Sequence, residues 1–174
     1  MKNIILLYST TDGHTIEICQ NIKLIAAENN ANVIIEPINK AHQIEFDKFD
    51  MIVLGASVRY GFHKKEVVKF IDSNLELLNS KPNALFSVNV VARKENKDTA
   101  ETNPYFKKFL DKIKWKPNQT VVFAGKISYP EYNFFDKLMI QFIMKITKGP
   151  TDSSKTYEFT KWDKVKEFAL SISK

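Results

Sequence analysis

The sequence has very few of the residues that hold metals or form disulfides. Among its 174 residues there is a single cysteine, Cys19. One cysteine excludes an internal disulfide and any multi-cysteine metal or iron–sulfur cluster. The three histidines, His14, His42 and His63, are scattered without the spacing of metal ligands. We therefore expect no protein-bound transition metal.

Long hydrophobic runs are also absent. The strongest apolar stretch, residues 134–147, is interrupted by charged and amide side chains and is shorter than the roughly 20 residues that a membrane-spanning helix needs. Residues 1–8 enter an apolar, strand-like run directly, with no basic segment and no small-residue cleavage site, so no signal peptide is expected. These features predict a cytoplasmic protein.

Composition and charge narrow the class of protein. Hydrophobic residues make up 44% and charged residues 26%, as in a globular protein with one core. A net charge of +6 favours anionic partners, which include nucleic acid, acidic lipid and carboxylate-bearing substrates. Because the lysines are spread along the chain without interleaved aromatic residues, we do not expect a nucleic-acid partner.

Short apolar runs alternate with segments of helical periodicity. The predicted helices are residues 15–28, 64–78, 103–113 and 162–172, and the predicted strands are 4–8, 33–36, 51–56, 84–91 and 120–125. Several of these strands are apolar throughout, which is typical of strands covered on both faces. The alternation predicts an α/β fold, a doubly wound five-stranded parallel sheet of order 2-1-3-4-5 with its functional loops at the carboxyl ends of the strands.

About thirty residues, 126–155, interrupt this alternation before the last helix. We predict a single domain, 1–174, in which this segment is an insertion. Drawn as a helix over residues 134–148, it has one narrow polar stripe formed by Lys137, Gln141, Lys145 and Lys148. The remaining apolar arc is wider than one neighbouring sheet can cover. We expect it to meet a second subunit, giving a homo-oligomer, or the lipid interface, giving a peripheral membrane protein. The alternative is a helix wholly buried within its own domain.

The loop after the first strand is rich in hydroxyl groups. It reads Ser9-Thr10-Thr11-Asp12-Gly13-His14-Thr15 and leads into a helix, so free amides and the positive end of the helix dipole converge there. The loop contains no lysine and lacks the three-glycine dinucleotide fingerprint, which favours a monophosphate. The alternative is a turn whose side chains only cap the helix.

Arginine is scarce, and its two positions are informative. Of the 26 basic residues only Arg59 and Arg93 are arginines, and each follows a strand predicted to end at the switch point of the sheet. Their planar forks suit a carboxylate or a stacked ring, although a structural salt bridge would also explain them. Tyr60, beside Gly61, would place a flat ring at the mouth of the same crevice.

Together these segments look like a known family. The loop of residues 9–15 resembles the FMN-phosphate loop of flavodoxins. The wider pattern resembles the flavodoxin-type, menaquinone-dependent protoporphyrinogen IX dehydrogenases of haem synthesis. The resemblance covers nearly the whole chain and is carried by residues 9–15, 55–61, 87–94, 129–130, 132, 136, 139–140, 143–145 and 151–152.

The resemblance implies a cofactor, a substrate and a set of site residues. Non-covalent FMN would bind with its phosphate on residues 9–15 and its isoalloxazine between 57–61 and 87–93. Protoporphyrinogen IX would be oxidised, with electrons passed to menaquinone or ubiquinone, at the inner face of the cell membrane. The implied FMN-binding residues are Ser9, Thr10, Thr11, Asp12, Gly13, His14, Thr15, Ser57, Val58, Arg59, Tyr60, Gly61, Ser87, Val88, Asn89, Val90, Val91, Ala92 and Arg93.

Within this set, Arg59 and Arg93 are also the candidates for holding a substrate propionate, and no general base is identified. Asp12 departs from the flavodoxin pattern, because flavodoxins usually place a phosphate-binding threonine there. Its carboxylate must therefore turn away from the phosphate or cap the helix.

Two other flavodoxin-like functions remain open. An electron carrier of this fold would typically be acidic, whereas this chain is basic and carries an apolar insertion. An FMN-dependent quinone reductase would need a nicotinamide site, and no segment of the sequence indicates one.

Overall fold

The computed structural model describes all residues from 1 to 174. The helices are α1 (His14–Glu28), α2 (Lys65–Ser73), α3 (Leu75–Ser80), α4 (Pro104–Lys112), α5 (Phe134–Ile146) and α6 (Trp162–Ser173). The strands are β1 (Lys2–Ser9), β2 (Ala31–Pro37), β3 (Met51–Arg59), β4 (Phe62–His63), β5 (Asn83–Asn89), β6 (Gln119–Ala124), β7 (Lys126–Ser128) and β8 (Thr156–Glu158).

The main sheet runs in the order β2-β1-β3-β5-β6, and every neighbouring pair in this series is parallel. In the order of the chain these five strands are 2-1-3-4-5, so the predicted fold class is confirmed. The carboxyl ends of β1, β3 and β5 lie side by side at the switch point, where ligands of such sheets bind.

Helices cover both faces of the sheet, which explains why its strands are apolar throughout. On one face α1 and α6 pack on the strands through a cluster of 18 buried residues that includes Ile18, Ile22 and Phe168. On the other face α2 and α4 contribute Phe70 and Phe106 to a cluster of 21 buried residues. The apolar runs predicted from the sequence are therefore central strands buried from two sides.

The third strand is longer than predicted and reverses direction at its end. The strand β3 continues to Arg59 and pairs antiparallel with β4. The turn between them is possible because Tyr60 and Gly61 both adopt positive φ, at 51° and 84°. This hairpin projects Tyr60 outward, where its side chain is exposed.

Two further predicted boundaries are wrong. The strand predicted over 84–91 ends at Asn89, because the Asn89 side chain accepts a hydrogen bond from the Ala92 amide and starts a 3-10 turn at Val90–Arg93. The helix predicted over 64–78 is broken at Asn74, which leaves helical φ and ψ and donates its side-chain amide to the Phe70 carbonyl.

The segment from Lys126 to Glu158 is closed by the antiparallel pair β7 and β8 and contains α5. A small core of Ile127, Tyr129 and Met144 attaches α5 to this pair. The insertion predicted over 126–155 extends through β8, and we use the name for residues 126–158 from here on. None of the helices combines the length and the apolar composition needed to cross a bilayer.

Candidate functional site

A cleft of about 690 Å³ opens at the carboxyl ends of β1, β3 and β5. The three loops singled out in the sequence form its floor and sides, and α4 and the insertion complete its wall. The predicted site residues that line the cleft are Thr10, Thr11, Asp12, His14, Thr15, Ser57, Val58, Arg59, Tyr60, Gly61, Val88, Asn89, Val90 and Val91. Its size is within the range of small-molecule sites.

Five predicted site residues do not line the cleft: Ser9, Gly13, Ser87, Ala92 and Arg93. Ser9 is buried and donates its hydroxyl to Oε1 of Glu66 at 2.5 Å. The Ser87 hydroxyl is within 2.9 Å of His63 Nε2. The Ser9 and Ser87 side chains therefore hold strand ends in place, and Arg93 contacts the insertion as described below.

The loop between β1 and α1 is shaped for an anion. Gly13 has a left-handed φ of 83°, and no side chain caps α1. The Thr10 hydroxyl accepts a hydrogen bond from the Gly13 amide at 3.1 Å, which tightens the turn. The first amides of α1 are thus left for a ligand, with the helix dipole behind them. A lysine also contacts this loop, since Lys64 Nζ donates to the Thr10 carbonyl at 2.6 Å.

Two buried hydroxyl groups in the cleft wall have no partner within the chain. They are Thr15 Oγ1, at the start of α1, and Ser57 Oγ, near the end of β3. Buried polar atoms are nearly always hydrogen bonded in folded proteins, because an unpaired one retains its desolvation cost. These two hydroxyls therefore fit a ligand with polar atoms at both places, as a flavin with a terminal phosphate has.

Arg59 lies at the centre of an ion-pair network above the loop. Its Nη1 is 2.5 Å from Oδ2 of Asp12, and its Nη2 is 3.0 Å from Oδ2 of Asp136 at the start of α5. The guanidinium also stacks 5.0 Å from the ring centroids of both Tyr60 and Tyr132. The Asp12 carboxylate thus pairs with Arg59 and does not cap α1.

The electrostatics of this network favour the ionised forms. Burial alone would lower the pKa of Arg59, but the charge of Asp12 and the hydrogen bonds that Arg59 donates to Tyr60 and Asp136 raise it. The pKa of Asp136 is lowered, chiefly by the hydrogen bond from the Tyr60 hydroxyl and then by Arg59. The same hydrogen bond raises the pKa of Tyr60. Arg59 is therefore a neutralised structural cation.

Arg93 contacts the opposite end of α5. Its Nη2 donates to the carbonyl of Thr147 at 2.9 Å, its Nη1 donates to the carbonyl of Val90 at 3.1 Å, and its guanidinium lies 5.8 Å from the Phe159 ring. A cation at a helix carboxyl terminus is favourable to the helix dipole. The Arg93 side chain therefore does not line the cleft, and the two arginines contact the two ends of α5.

Comparisons with known proteins agree with this geometry. The family model of the flavodoxin domain matches residues 5–154. A protein of Leishmania major named protoporphyrinogen IX dehydrogenase [quinone] is 42% identical over 170 residues, which is 97% of this chain and 74% of the relative. The protein of the same name from Escherichia coli K12 is 38% identical over 99% of this chain and 95% of the relative. This chain belongs to the protoporphyrinogen IX dehydrogenase family. The resemblance inferred from the loops is confirmed.

Solved structures support the fold of this protoporphyrinogen IX dehydrogenase family member. An archaeal flavodoxin aligns with a TM-score of 0.53 over 98% of this chain and 96% of its own, at 14% identity. The rubredoxin:oxygen oxidoreductase of Desulfovibrio gigas aligns with a TM-score of 0.55 over 99% of this chain but 35% of its own, at 9% identity. At these identities the likeness concerns the flavodoxin fold alone.

Several cleft residues were not predicted from the sequence. In this dehydrogenase-family chain the missed wall residues are Phe62, Pro104, Tyr105, Lys108, Gly125, Lys126, Ile127, Tyr132, Met139, Ile140, Ile143 and Met144. Most come from the insertion or from α4. The width of the apolar arc on α5 was visible in the sequence. Which face of α5 turns toward the cleft depends on contacts of Arg59 and Arg93 with residues far away in the sequence, and these could not be predicted.

A chain of hydrogen-bonded polar side chains lies behind the loop that follows β5. His63 Nε2 is 2.9 Å from the Ser87 hydroxyl, and Asn89 exchanges hydrogen bonds with Asn103 at 3.0 and 3.3 Å. His63 packs against Phe109, with ring centroids 4.2 Å apart. Burial lowers the pKa of His63 from 6.5 to about 4.

The lowered pKa of His63 should make the free energy of unfolding depend on pH. Because the folded pKa of His63 is depressed, the unfolded chain binds a proton more readily, so stability is fully present above pH 6.5 and is lost as pH falls toward 4. We expect the free energy of unfolding to decrease by about 2–3 kcal/mol more in the wild type than in His63→Phe between pH 7 and 4. Urea unfolding at both pH values measures this. Equal decreases in the two proteins would contradict it.

Proposed function

We propose that this chain is an FMN-dependent enzyme of haem biosynthesis that oxidises protoporphyrinogen IX to protoporphyrin IX and passes the electrons to a quinone. One observation carries the proposal beyond the family name. The insertion supplies an apolar wall to the cleft through Met139, Ile140, Ile143 and Met144 of α5. A carrier that exchanges electrons by protein docking has no need of an apolar wall at its flavin, whereas a hydrophobic substrate does.

The residues of the cleft fit FMN. The start of α1 offers uncapped amides for one phosphate, and Thr15 Oγ1 and Ser57 Oγ are buried donors that await partners. Residues 57–61 and 88–91 flank the position proposed for the ring system. When bound there, FMN supplies the two-electron transfer chemistry, and the protein binds and orients the reactants.

The chain's own residues prepare this cleft. Arg59 neutralises Asp12, which would otherwise repel a phosphate dianion beside it. Tyr132, Met139 and Ile143 line the cleft from the insertion side, so a bound ligand would meet side chains rather than water there. In this proposal Ser9, Gly13, Ser87 and Ala92 act through the backbone of the flavin loops.

We also propose that the insertion is part of the same domain and rests on a lipid surface. Its helix α5 exposes six large apolar side chains, each between 50% and 81% exposed: Phe134, Phe135, Leu138, Met139, Phe142 and Ile146. We call these six residues the apolar face. A contiguous surface of this kind marks a lipid or protein contact. A lipid-dissolved quinone would reach the cleft from this side.

The charges around the apolar face favour lipid over a second copy. Lys145 and Lys148 lie at its carboxyl-terminal end, and Lys94 lies close enough to Arg93, Lys97 and Lys148 that desolvation and their charges lower its pKa. A second copy on this face would add its own lysines to the interface and no carboxylates from the apolar face to pair with them. Anionic headgroups would instead attract them.

Flotation with vesicles tests the lipid contact. We expect the wild type to float with phosphatidylglycerol vesicles and the triple variant Leu138→Ser, Phe142→Ser, Ile146→Ser to bind them at least about tenfold more weakly, because burial of each side chain is worth about 1.5–3 kcal/mol. The control Leu24→Ser removes a 65% exposed leucine on α1 and should float like the wild type.

Two results would contradict the lipid contact. One is a monomeric wild type that ignores the vesicles. The other is a dimer in sedimentation that the triple variant abolishes, which would place a second copy on the apolar face.

Turnover assays test the reaction itself. The FMN-loaded protein is supplied with protoporphyrinogen IX and a water-soluble quinone analogue without oxygen, and protoporphyrin fluorescence is followed. We expect porphyrin to form only when both quinone and protein are present. Quinone reduction by NADPH without porphyrinogen oxidation would indicate a quinone reductase, and no turnover in either assay would indicate an electron carrier.

A further inference from the structure

Three cationic side chains line the cleft, and they differ in whether a carboxylate of the chain pairs with them. Arg59 is bound by two carboxylates, as described above. Lys126 Nζ is 2.6 Å from Oε1 of Glu17. Lys108, on α4, forms no ion pair and no hydrogen bond within the chain. It is therefore the cation in the cleft wall whose charge is available to a ligand.

Aromatic side chains surround Lys108 on the outer rim of the cleft. Its Nζ lies 5.4 Å from the ring centroid of Phe62, which is 65% exposed. Tyr105, one turn earlier on α4, packs so closely under the β3–β4 turn that a Cβ on Gly61 would lie 3.2 Å from its ring. We call Phe62, Tyr105 and Lys108 the outer rim.

The outer rim combines an apolar surface with a positive charge. Two rings, one of them largely exposed to water, offer an apolar surface to a flat ligand, and a cation lies at its edge. A ligand that satisfies both is a flat apolar ring system with an acidic side chain. None of the residues that we assign to FMN lies on α4, so the outer rim remains open to a second ligand in the same cleft.

We infer that the outer rim is the carboxylate-recognition site for the tetrapyrrole, with Lys108 paired to a propionate and Phe62 under the macrocycle edge. This inference rests on the proposed function and replaces the earlier assignment of the propionate to Arg59 and Arg93, whose guanidinium groups are bound within the protein. Lys108 acts in binding and specificity and has no part in the electron transfer.

Equilibrium binding tests the inference without turnover. The FMN-loaded protein is titrated with protoporphyrin IX and, separately, with its dimethyl ester. For protoporphyrin IX we expect the Kd to rise about fivefold in Lys108→Ala, as for a solvent-accessible ion pair, and about tenfold or more in Lys108→Glu. The ester, which has no carboxylate, should bind all variants equally.

Lys107→Ala is the matched control, since Lys107 is the neighbouring exposed lysine on α4 but does not line the cleft. It should bind protoporphyrin IX like the wild type. In turnover with protoporphyrinogen IX, Lys108→Ala should raise KM with little change in kcat, because the contact is remote from the reacting atoms.

The outcomes separate this inference from the proposed function. A wild type that oxidises protoporphyrinogen IX, with unchanged Kd in both Lys108 variants, overturns the inference alone. Equal weakening of acid and ester by Lys108→Glu also overturns it, because the effect would not come from the carboxylate. A wild type that neither binds the porphyrin nor oxidises its reduced form overturns both.

Discussion

Replacement of Thr15 by valine is expected to lower the affinity for FMN by about 10- to 100-fold, because a hydrogen bond to a charged phosphate is worth about 1.5–3 kcal/mol. The same change should leave the apoprotein at least as stable as the wild type. Thr15 Oγ1 is buried without a partner, so an isosteric methyl group removes an unsatisfied polar atom. The two effects have opposite signs, which a general defect in folding would not produce.

Flavin fluorescence titration of the apoprotein measures the affinity, and urea unfolding without FMN measures the stability. Thr120→Val is the control, since Thr120 is a partly buried threonine of β6 outside the cleft. It should leave the Kd for FMN unchanged. If Thr15→Val binds FMN as the wild type does, the hydroxyl does not contact the phosphate and the assignment of the loop fails.

Gly13→Val offers an independent test of the same loop. A Cβ at Gly13 would meet no atom within 4 Å, so the expected defect is not a clash within the chain. The φ of 83° is the cause, because a β-branched residue rarely adopts it. The turn would change its backbone path and misdirect the first amides of α1. Purified Gly13→Val should therefore contain little FMN.

The sequence was sufficient to predict the sheet and the place of the cleft. Strand order follows from the alternation of apolar runs and helices, and parallel topology then brings the ends of β1, β3 and β5 together. The segments 9–15, 57–61 and 87–93 could be assigned to one site because each lies at the carboxyl end of one of those strands. The place of these segments is set by the path of the backbone through the sheet and does not depend on which side chains pair.

Side-chain partners could not be predicted in the same way. The scarcity of arginine drew attention to Arg59 and Arg93, but a sequence does not show that their partners are Asp136 and Thr147, 77 and 54 residues away. Those partners lie on the insertion, whose position depends on its own small core. The sequence gives no signal for Lys108, since it is one of many lysines and is distinguished only by lining the cleft without a carboxylate partner.

The ion-pair network of Arg59 predicts the largest effect of a single change. Arg59→Gln would leave Asp12 without a cation beside the phosphate position, and it would release Asp136 at the start of α5. An unpaired carboxylate next to a bound dianion is strongly unfavourable, since each lost charge-assisted contact costs about 1.5–3 kcal/mol. We expect the affinity for FMN to fall about 100-fold and turnover to fall with it.

Further substitutions distinguish the contact of Arg59 with Asp12 from its contact with Asp136. Adding Asp12→Asn to Arg59→Gln removes the uncompensated charge and should restore most of the FMN affinity, while α5 stays released. Asp136→Asn alone should leave the affinity for FMN near that of the wild type but increase hydrogen exchange at the start of α5.

Arg93→Lys should increase hydrogen exchange at the opposite end of α5, because lysine lacks the fork that reaches both Val90 and Thr147.

Arg59→Lys decides whether charge or geometry matters more. Lysine keeps the positive charge beside Asp12, so FMN should still bind, within about fivefold of the wild type, as expected for an ion pair that remains partly accessible to solvent. It cannot also reach Asp136 and stack between Tyr60 and Tyr132, so α5 should exchange faster and kcat/KM for the porphyrinogen should fall. Wild-type exchange and kinetics in both Arg59→Lys and Arg59→Gln would mean that the small core of the insertion holds α5 over the cleft without the arginine.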